Sequence, residues 1–243
     1  MRYPLIRVSI LISCLYNMIY ALSGIAFLLL AYGPSLWVRF VLRKHSDEIA
    51  GMPGTGGELA EHLVERFQLD GVSVEQGQEG QDHYSPADKV VSLSPSIYKG
   101  KSLTAVAVAA HEVGHAIQFS RNEPVSQLRT RYLGKAFFIK RIGTGILLSI
   151  PIITLIFKAP HVILFAVVIG IITLLASALI YLAVLPEEYD ASFNKALPIL
   201  QEGYVHDEHI PAIRQVLRAA ALTYFAGALA DILSLWRWFS VFR

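Results

Sequence analysis

Residues 102–119 read SLTAVAVAAHEVGHAIQF, a run of small apolar residues interrupted by two histidines and a glutamate. Such a run predicts a packed helix. Residues four apart share a face of a helix, so His111 and His115 can each offer a ring nitrogen to one ion. Glu112 lies beside them, where its carboxylate can take a proton from a metal-bound water. Gly114 leaves room for another backbone to approach closely.

The alternative is that the two histidines fall one helical turn apart by coincidence. Burying two unpartnered histidines in a packed helix would cost free energy, which favours the metal interpretation. Zinc suits such a pair, because it accepts nitrogen ligands in tetrahedral geometry and keeps one position open when it is catalytic. The single cysteine, Cys14, excludes an intramolecular disulfide framework and a cysteine-based zinc cage.

The composition of the chain is that of a membrane protein. Of its 243 residues, 54% are hydrophobic and 16% are charged, with a mean hydropathy of +0.48. A soluble domain normally carries about 25% charged residues. The net charge of +2 provides no basic field that would favour nucleic-acid binding. We therefore expect a lipid bilayer, and no nucleic acid, among the partners of this protein.

Four apolar stretches are candidates to cross the membrane, since a span needs roughly 20 apolar residues. They are residues 8–38, 142–157, 159–186 and 219–236. The second is short, and the last contains Asp231, so it either spans the bilayer or lies against the other helices. These stretches predict a mainly α-helical membrane protein with three to four transmembrane helices, the first of them an uncleaved anchor.

Lysine and arginine flank these stretches unevenly, because Lys158 alone separates the second stretch from the third. The residues after the first stretch and before the second are Arg39, Arg43, Lys44, Arg129, Arg131, Lys135, Lys140 and Arg141. By the positive-inside rule, the segment 39–141 lies in the cytoplasm. We expect a multi-pass protein of the plasma membrane whose active site faces the cytoplasm, although Arg2 and Arg7 would then lie outside.

The polar segment between the first two stretches predicts a small α+β unit. Thr55 and Glu58 predict a capping box at the start of a helix that Gly71 ends. VSVEQ at 72–76 alternates like a strand, and DHYSPADKVVSLSP at 82–95 predicts two strands around a turn.

A catalytic zinc needs a third protein ligand, and two segments offer one. Asp70 in LDG resembles the ligand motif of site-2-type proteases, but it precedes the histidines and its polar surroundings suit a turn better. In LPEEYDASFNKA at 185–196, Glu187 and Glu188 fall in the first turn of a helix. They either decorate the helix dipole or bind the metal. Two membrane crossings between the histidines and this segment would return it to their side of the bilayer.

These expectations divide the chain into five parts. They are an N-terminal transmembrane anchor (1–43), a cytoplasmic HExxH-containing unit (44–141), a transmembrane helical hairpin (142–185), a cytoplasmic helical segment with the third metal ligand (186–218), and a C-terminal apolar helix (219–243).

AVAVAAHEVGHAIQ is preceded by DHYSPADKVVSLSPSIYKGKSL and followed by LPEEYDAS and AALTYFAGAL. In their order and spacing these segments resemble the YugP-type membrane zinc metallopeptidases, from about residue 40 to the C-terminus. More distantly, the chain is similar to the HtpX and CAAX prenyl protease group of gluzincin-like membrane proteases, whose catalytic domains face the cytoplasm.

The resemblance implies that one zinc ion is held by His111, His115 and Glu188. It makes Glu112 the general base and the α+β unit a small zincin-like cytoplasmic metallopeptidase unit. Glu188 occupies the glutamate position of the family's EFDAS-like segment, here EYDAS, and Glu187 is the alternative ligand. Asp190 would orient a histidine or the ligand helix, or it would be a solvated helix carboxylate.

The resemblance also implies a membrane-embedded endopeptidase that hydrolyses peptide bonds of protein substrates, membrane proteins among the candidates, with a zinc-activated water. The strand near 89–93 would pair with an extended substrate, and Tyr224 and His83 are candidate oxyanion donors. The alternative is a non-catalytic membrane protein that uses a structural metal site as a scaffold or to assemble partners. Glu112 separates the two, since a structural zinc site would not need it.

Overall fold

The computed structural model describes residues 32–157 and 159–227, together with residues 18, 21, 22, 25, 26 and 29. The expectations for Arg2, Arg7, Cys14, Lys158 and Asp231 lie outside the described residues. The protein is mainly helical with one small sheet.

The helices are α1 (described over residues 32–44), α2 (Gly56–Arg66), α3 (Pro95–Tyr98), α4 (Leu103–Ser120), α5 (Gln127–Leu148), α6 (Ile150–Phe157), α7 (Pro160–Leu182), α8 (Leu185–Tyr189), a π-helix (Asp190–Ala196), α9 (Leu197–Gln201) and α10 (Ile210–Ala221), and residues 223–227 are also helical. Short 3₁₀ turns cover Pro124–Ser126 and Asp207–His209. The strands are β1 (Ser73–Gln76), β2 (His83–Ser85) and β3 (Val90–Leu93).

Helix α2 begins as its capping box predicts. The Thr55 hydroxyl accepts a hydrogen bond from the Glu58 N–H at 3.1 Å, and the Glu58 carboxylate accepts one from the Thr55 N–H at 2.7 Å. The helix ends at Arg66 and not at Gly71. The chain turns earlier than expected because Gln68 adopts a left-handed φ of +51°.

The two strands predicted within residues 82–95 are confirmed, and they form a sheet with β1 in the order β1-β3-β2. β3 runs parallel to β1, with Val74 opposite Val91, and antiparallel to β2, with Tyr84 opposite Val91. Since β3 is paired on both sides, the prediction that the strand near 89–93 offers its edge to a substrate is wrong. The outer edges of the sheet belong to β1 and β2.

Helix α4 is the central helix of the fold. It packs against α2, the π-helix and α10, and every residue from Leu103 to Gln118 is buried. Its first turn is capped by Ser102, whose hydroxyl accepts a hydrogen bond from the Ala105 N–H at 3.1 Å. Because alanines fill the turns before the histidines, the neighbouring helices come close and the histidines lie inside the protein.

Helices α5, α6 and α7 carry the apolar surface expected of membrane helices. Within the described residues, the helical run His161–Gln201 is long and apolar enough to cross a membrane. Pro124–Leu148 and Ile150–Ile156, bent by 42° at their junction, would together make a second span. Large apolar side chains stay exposed on these helices, as Leu155 does at 75%. The figure of three to four spans stays a prediction.

All four expected boundaries fall inside helices: residue 43 lies in α1, residue 141 in α5, residue 185 in α8 and residue 218 in α10. α5 begins at Gln127 and passes residue 141 without a break. Three of the boundaries lie at arginines, which mark the ends of apolar stretches. Arginine is a good helix former, so a helix can continue through it. The run His161–Gln201 passes residue 185, and only the two turn residues 183 and 184 separate the apolar α7 from α8 and the π-helix.

Candidate metal centre

His111 and His115 face each other across one turn of α4, inside the protein. Their rings meet edge to face with centroids 4.7 Å apart, and both residues are buried. Burial alone would lower the pKa of His115, but the negative charge of Glu188 outweighs burial and raises that pKa above its ordinary value. The carboxylate of Glu188 therefore acts directly on the His115 ring.

Glu188 supplies that carboxylate from α8. Its Oε2 atom lies 3.3 Å from Nε2 of His111 and 3.3 Å from Nε2 of His115. One ligand atom from each of the three residues falls within 4.8 Å of the others. The Oε1 atom of Glu188 is buried and accepts no hydrogen bond within the described part of the chain. We call these three residues the candidate metal centre.

Two imidazoles and one carboxylate are a donor set that zinc accepts, and a catalytic zinc keeps a further position open. A buried carboxylate oxygen without a hydrogen bond costs free energy. A cation bound between the three side chains would remove that cost, so the residues present fit a zinc ion.

Gly114 allows the segment after Glu188 to approach α4. A Cβ atom on Gly114 would lie 2.8 Å from the backbone oxygen of Ala191, in the π-helix. This is closer than non-bonded atoms pack, so only glycine permits the two backbones to meet here. The predicted role of Gly114 in a close backbone approach is confirmed.

The Nδ1 atom of His111 is held by the π-helix. It lies 3.0 Å from the hydroxyl of Ser192, which itself donates a hydrogen bond to the backbone oxygen of Leu217 at 3.2 Å. Because the hydroxyl proton is committed to Leu217, the network assigns the donated proton to Nδ1 of His111. Nε2 then carries the lone pair, on the side of Glu188.

The Nδ1 atom of His115 is held in the same way by Gln118. It lies 3.0 Å from the amide oxygen of Gln118, whose amide nitrogen donates to the backbone oxygen of Glu187 at 3.0 Å and to Asp190 at 2.8 Å. Since the amide nitrogen faces two acceptors, the amide oxygen must accept from His115. Asp190 thus reaches His115 through Gln118, which supports the predicted orienting role over a solvated carboxylate.

Glu187, the alternative ligand, lies outside the candidate metal centre. Its Oε2 accepts a hydrogen bond from the backbone N–H of Arg129 at 2.7 Å. Its Oε1 lies 3.9 Å from Nδ1 of His115, on the opposite side of that ring from Glu188. The side chain therefore ties the start of α5 to α8.

Glu112 is positioned by the sheet. One oxygen of its carboxylate accepts a hydrogen bond from the backbone N–H of Tyr84 in β2 at 2.9 Å. Only 7% of the residue is exposed, and it lines the same cavity as the candidate metal centre. The second oxygen of the carboxylate remains available for a reactant.

The cavity in front of the candidate metal centre has a volume of about 520 Å³, within the range of small-molecule and peptide pockets. Besides Glu112 and the candidate metal centre, its walls include residues of α1, of the β1–β2 connection, of α5 and of the end of the described chain. Among them are Ser35, Arg39, Asp82, Arg129, Tyr224 and Gly227. Burial raises the pKa of Asp82, although hydrogen bonds from Ser94 oppose the shift.

The other residues considered from the sequence lie in different places. Tyr224 lines the cavity. His83 is exposed, and its Nδ1 lies 2.9 Å from the backbone oxygen of Gln81. Asp70 is exposed in the turn after α2 and takes no part in the candidate metal centre.

Four residues of the site were missed from the sequence: Tyr84, Gln118, Arg129 and Ser192. The position of Gln118, one turn after His115 on the same helix face, is a signal that could have identified it. Ser192 lies in the quoted EYDAS segment, but its hydroxyl could not be paired with a histidine before the π-helix was known.

Residues 20–243 match a protein family described as "Putative neutral zinc metallopeptidase". The chain is also 33% identical over 223 residues to "Putative membrane protease YugP" of Bacillus subtilis (strain 168), an alignment that covers 87% of this chain and 93% of that protein. No solved structure matches the chain. The resemblance seen in the sequence is confirmed.

Proposed function

The chain belongs to the neutral zinc metallopeptidase family, and from that premise we propose that it is a membrane-embedded zinc endopeptidase with Glu112 as its general base. The observation that carries the proposal is the cavity of about 520 Å³, into which Glu112 and the candidate metal centre open together. Its substrates are protein chains, with membrane proteins as the first candidates.

His111, His115 and Glu188 would hold one zinc ion, each with one ligand atom. When bound, zinc supplies a Lewis acid that polarises the scissile carbonyl and makes water a better nucleophile. Ser192 and Gln118 keep both Nε2 atoms turned toward Glu188, so the ligand atoms are oriented before the ion arrives. This arrangement limits the reorganisation that binding requires.

Glu112 would take a proton from the attacking water and return it to the leaving amine. The hydrogen bond from the Tyr84 N–H fixes one carboxylate oxygen and leaves the other for the water. This contact also brings the β2 edge of the sheet beside the reacting groups. An extended substrate would pair with β2, and not with the central strand β3.

The alternative, a scaffold with a structural metal, is less well supported. Structural zinc sites are closed by four protein ligands, whereas the described residues contribute three and leave the fourth side open to the cavity. A structural site would also give no reason for a buried carboxylate held by a strand N–H beside the ligands.

The membrane arrangement proposed is a multi-pass one with the site at the cytoplasmic face. It is supported by the excess of lysine and arginine in residues 39–141 and by the continuity of α7 with α8. Residues of α1 line the cavity, so substrate would reach the site next to the bilayer surface.

Glu112→Gln tests the proposal, because it keeps the shape of the side chain and removes the base. The purified protein is compared with the wild type and with Glu65→Gln, an exposed glutamate of α2, for zinc content and for cleavage of casein and membrane-protein substrates. We expect Glu112→Gln to keep its zinc and to lose about 10²- to 10⁴-fold in cleavage rate, while Glu65→Gln matches the wild type. Equal cleavage by Glu112→Gln, or none by the wild type across the panel, would refute the proposed function.

A further inference from the structure

Arg129 stands at the start of α5 and enters the cavity beside the candidate metal centre. Its backbone N–H is anchored by Glu187, the neighbour of Glu188 in sequence. The guanidinium interacts electrostatically with both Glu188 and Glu112. Because Glu187 binds the backbone of Arg129, the guanidinium remains able to interact with groups in the cavity.

The guanidinium of Arg129 is held in place but is not fully hydrogen-bonded. Its Cζ atom lies 5.2 Å from the centroid of the Tyr224 ring, a distance at which a cation and an aromatic face attract. Its Nη1 atom is buried and has no hydrogen-bond partner in the described part of the chain. A buried donor without an acceptor costs free energy, which points to a ligand that supplies the acceptor.

The chemistry of the cavity restricts what that acceptor is. Three carboxylates line the same walls, those of Asp82, Glu112 and Glu188. A bound zinc ion would offset part of this negative charge, and Arg39 lies on the same walls. A substrate group that carries a permanent negative charge but does not bind the zinc would still pass these carboxylates on entry and be repelled by them. A peptide carbonyl enters neutral and becomes negative only as it reacts, so it avoids that repulsion and meets Arg129 when the charge forms.

We infer that Arg129 is a catalytic residue that donates a hydrogen bond to the oxygen of the scissile carbonyl. The inference rests on the proposed function. As the water oxygen bonds to the carbonyl carbon, the C=O electron pair moves onto the oxygen, where the guanidinium stabilises the negative charge without giving up a proton. When the C=O bond re-forms, the C–N bond breaks and the amine leaves with the proton that Glu112 carried.

In this assignment Tyr224 contacts the Arg129 guanidinium and not the reacting atoms. Its ring lies under the guanidinium and holds its position, which makes Tyr224 a positioning residue and not the oxyanion donor considered from the sequence. Removal of one oxyanion donor costs about 10²- to 10³-fold in kcat. Tyr224→Phe removes only the hydroxyl and keeps the ring beside the guanidinium, so it should lose less kcat than Arg129→Met.

Arg129→Met tests the inference, with Arg129→Lys as a variant that keeps the charge and Arg131→Met as the control. Arg131 is exposed two positions further along α5. Zinc content, kcat and KM are measured on a casein peptide that the wild type cleaves, made with a free C-terminus and with an amidated one. A phosphinic analogue of the same peptide, whose tetrahedral anion imitates the reacting carbonyl, gives a binding constant that does not depend on turnover.

We expect Arg129→Met to retain one zinc per chain and to lose about 10²- to 10³-fold in kcat on both peptides, with KM little changed. Its affinity for the phosphinic analogue should fall far more than its affinity for the product. Added guanidinium ion at millimolar concentration should restore part of the activity. Arg129→Lys should lie between this variant and the wild type, and Arg131→Met should match the wild type.

Four results would overturn the inference. If the wild type is active and Arg129→Met has the same kcat, the role of Arg129 is refuted and the proposed function is unaffected. A loss confined to KM on the free-carboxylate peptide would make Arg129 an anchor for a substrate C-terminus. Loss of zinc from both Arg129 variants would give it a structural role. If the wild type cleaves nothing and fails to bind the phosphinic analogue, the proposed function and this inference fail together.

Discussion

Gly114→Ala is the substitution whose effect follows most directly from the geometry. The added Cβ would lie 2.8 Å from the backbone oxygen of Ala191 and 3.3 Å from its carbonyl carbon. Both partners are backbone atoms of helices, so no side-chain rotation can relieve the overlap. Either the π-helix or α4 has to move.

Two opposing free energies set the magnitude. Replacing a glycine inside a helix by alanine stabilises the folded state by about 1 kcal/mol. Overpacking of a tight contact costs about 1–3 kcal/mol. We therefore expect Gly114→Ala to change the free energy of unfolding by between about 0 and −2 kcal/mol. The displaced segment carries Ser192, so zinc affinity should fall by about tenfold as His111 loses its orienting hydroxyl.

Gly134→Ala is the matched control, because Gly134 also lies inside a helix but a Cβ there would meet no atom within 4 Å. The two variants are compared in one detergent by thermal unfolding and by competition for zinc with a chelator. The difference between them isolates the overlap, and it should amount to about 2–12 °C in Tm. If Gly114→Ala is as stable as Gly134→Ala and binds zinc like the wild type, the close approach of the two backbones is refuted.

Three further predictions concern the ligand environment and the pH dependence of stability. Ser192→Ala should weaken zinc binding by about 10- to 100-fold because His111 loses the acceptor for its Nδ1 proton. Ser120→Ala, at the exposed end of α4, is the control and should bind zinc like the wild type. An unchanged dissociation constant in Ser192→Ala would contradict the prediction. Removing zinc with a chelator should lower Tm by about 10 °C, since a ligand at about 1,000 times its dissociation constant adds about 4 kcal/mol to the free energy of unfolding. A Tm that is the same with and without chelator would show that the stability of the fold does not depend on the ion. Asp82→Asn should stabilise the protein at pH 7. Burial raises the pKa of Asp82 above 3.8 despite the Ser94 hydrogen bonds, so the folded state holds this proton more tightly than the unfolded chain. Its contribution to stability is present at low pH and lost as pH rises through the raised pKa, so the advantage of the variant should vanish near pH 3.

Local patterns were enough to predict the parts of the fold that depend on neighbouring residues. The capping box at Thr55 and Glu58 specifies hydrogen bonds over one turn, and the strands in residues 82–95 follow from a turn and an apolar alternation. His111 and His115 share a helix face whatever surrounds them. Each of these features is decided within a few residues of sequence.

The features that could not be predicted depend on contacts between distant parts of the chain. Tyr84 reaches Glu112 through a backbone N–H, which carries no side-chain signature. The π-helix at Asp190–Ala196 differs from an α-helix only in its hydrogen-bond register, and hydropathy does not report that register. Arg129 was counted among the charges that orient the membrane helices, because its sequence position gives no indication that it enters the cavity.

The central claim, that one zinc ion is bound between α4 and α8, is tested most directly by an anomalous-difference map collected at the zinc edge. We expect one peak per chain, at about 2.0–2.2 Å from Nε2 of His111, from Nε2 of His115 and from a carboxylate oxygen of Glu188. A peak held by other residues, or no peak in zinc-loaded crystals, would contradict it.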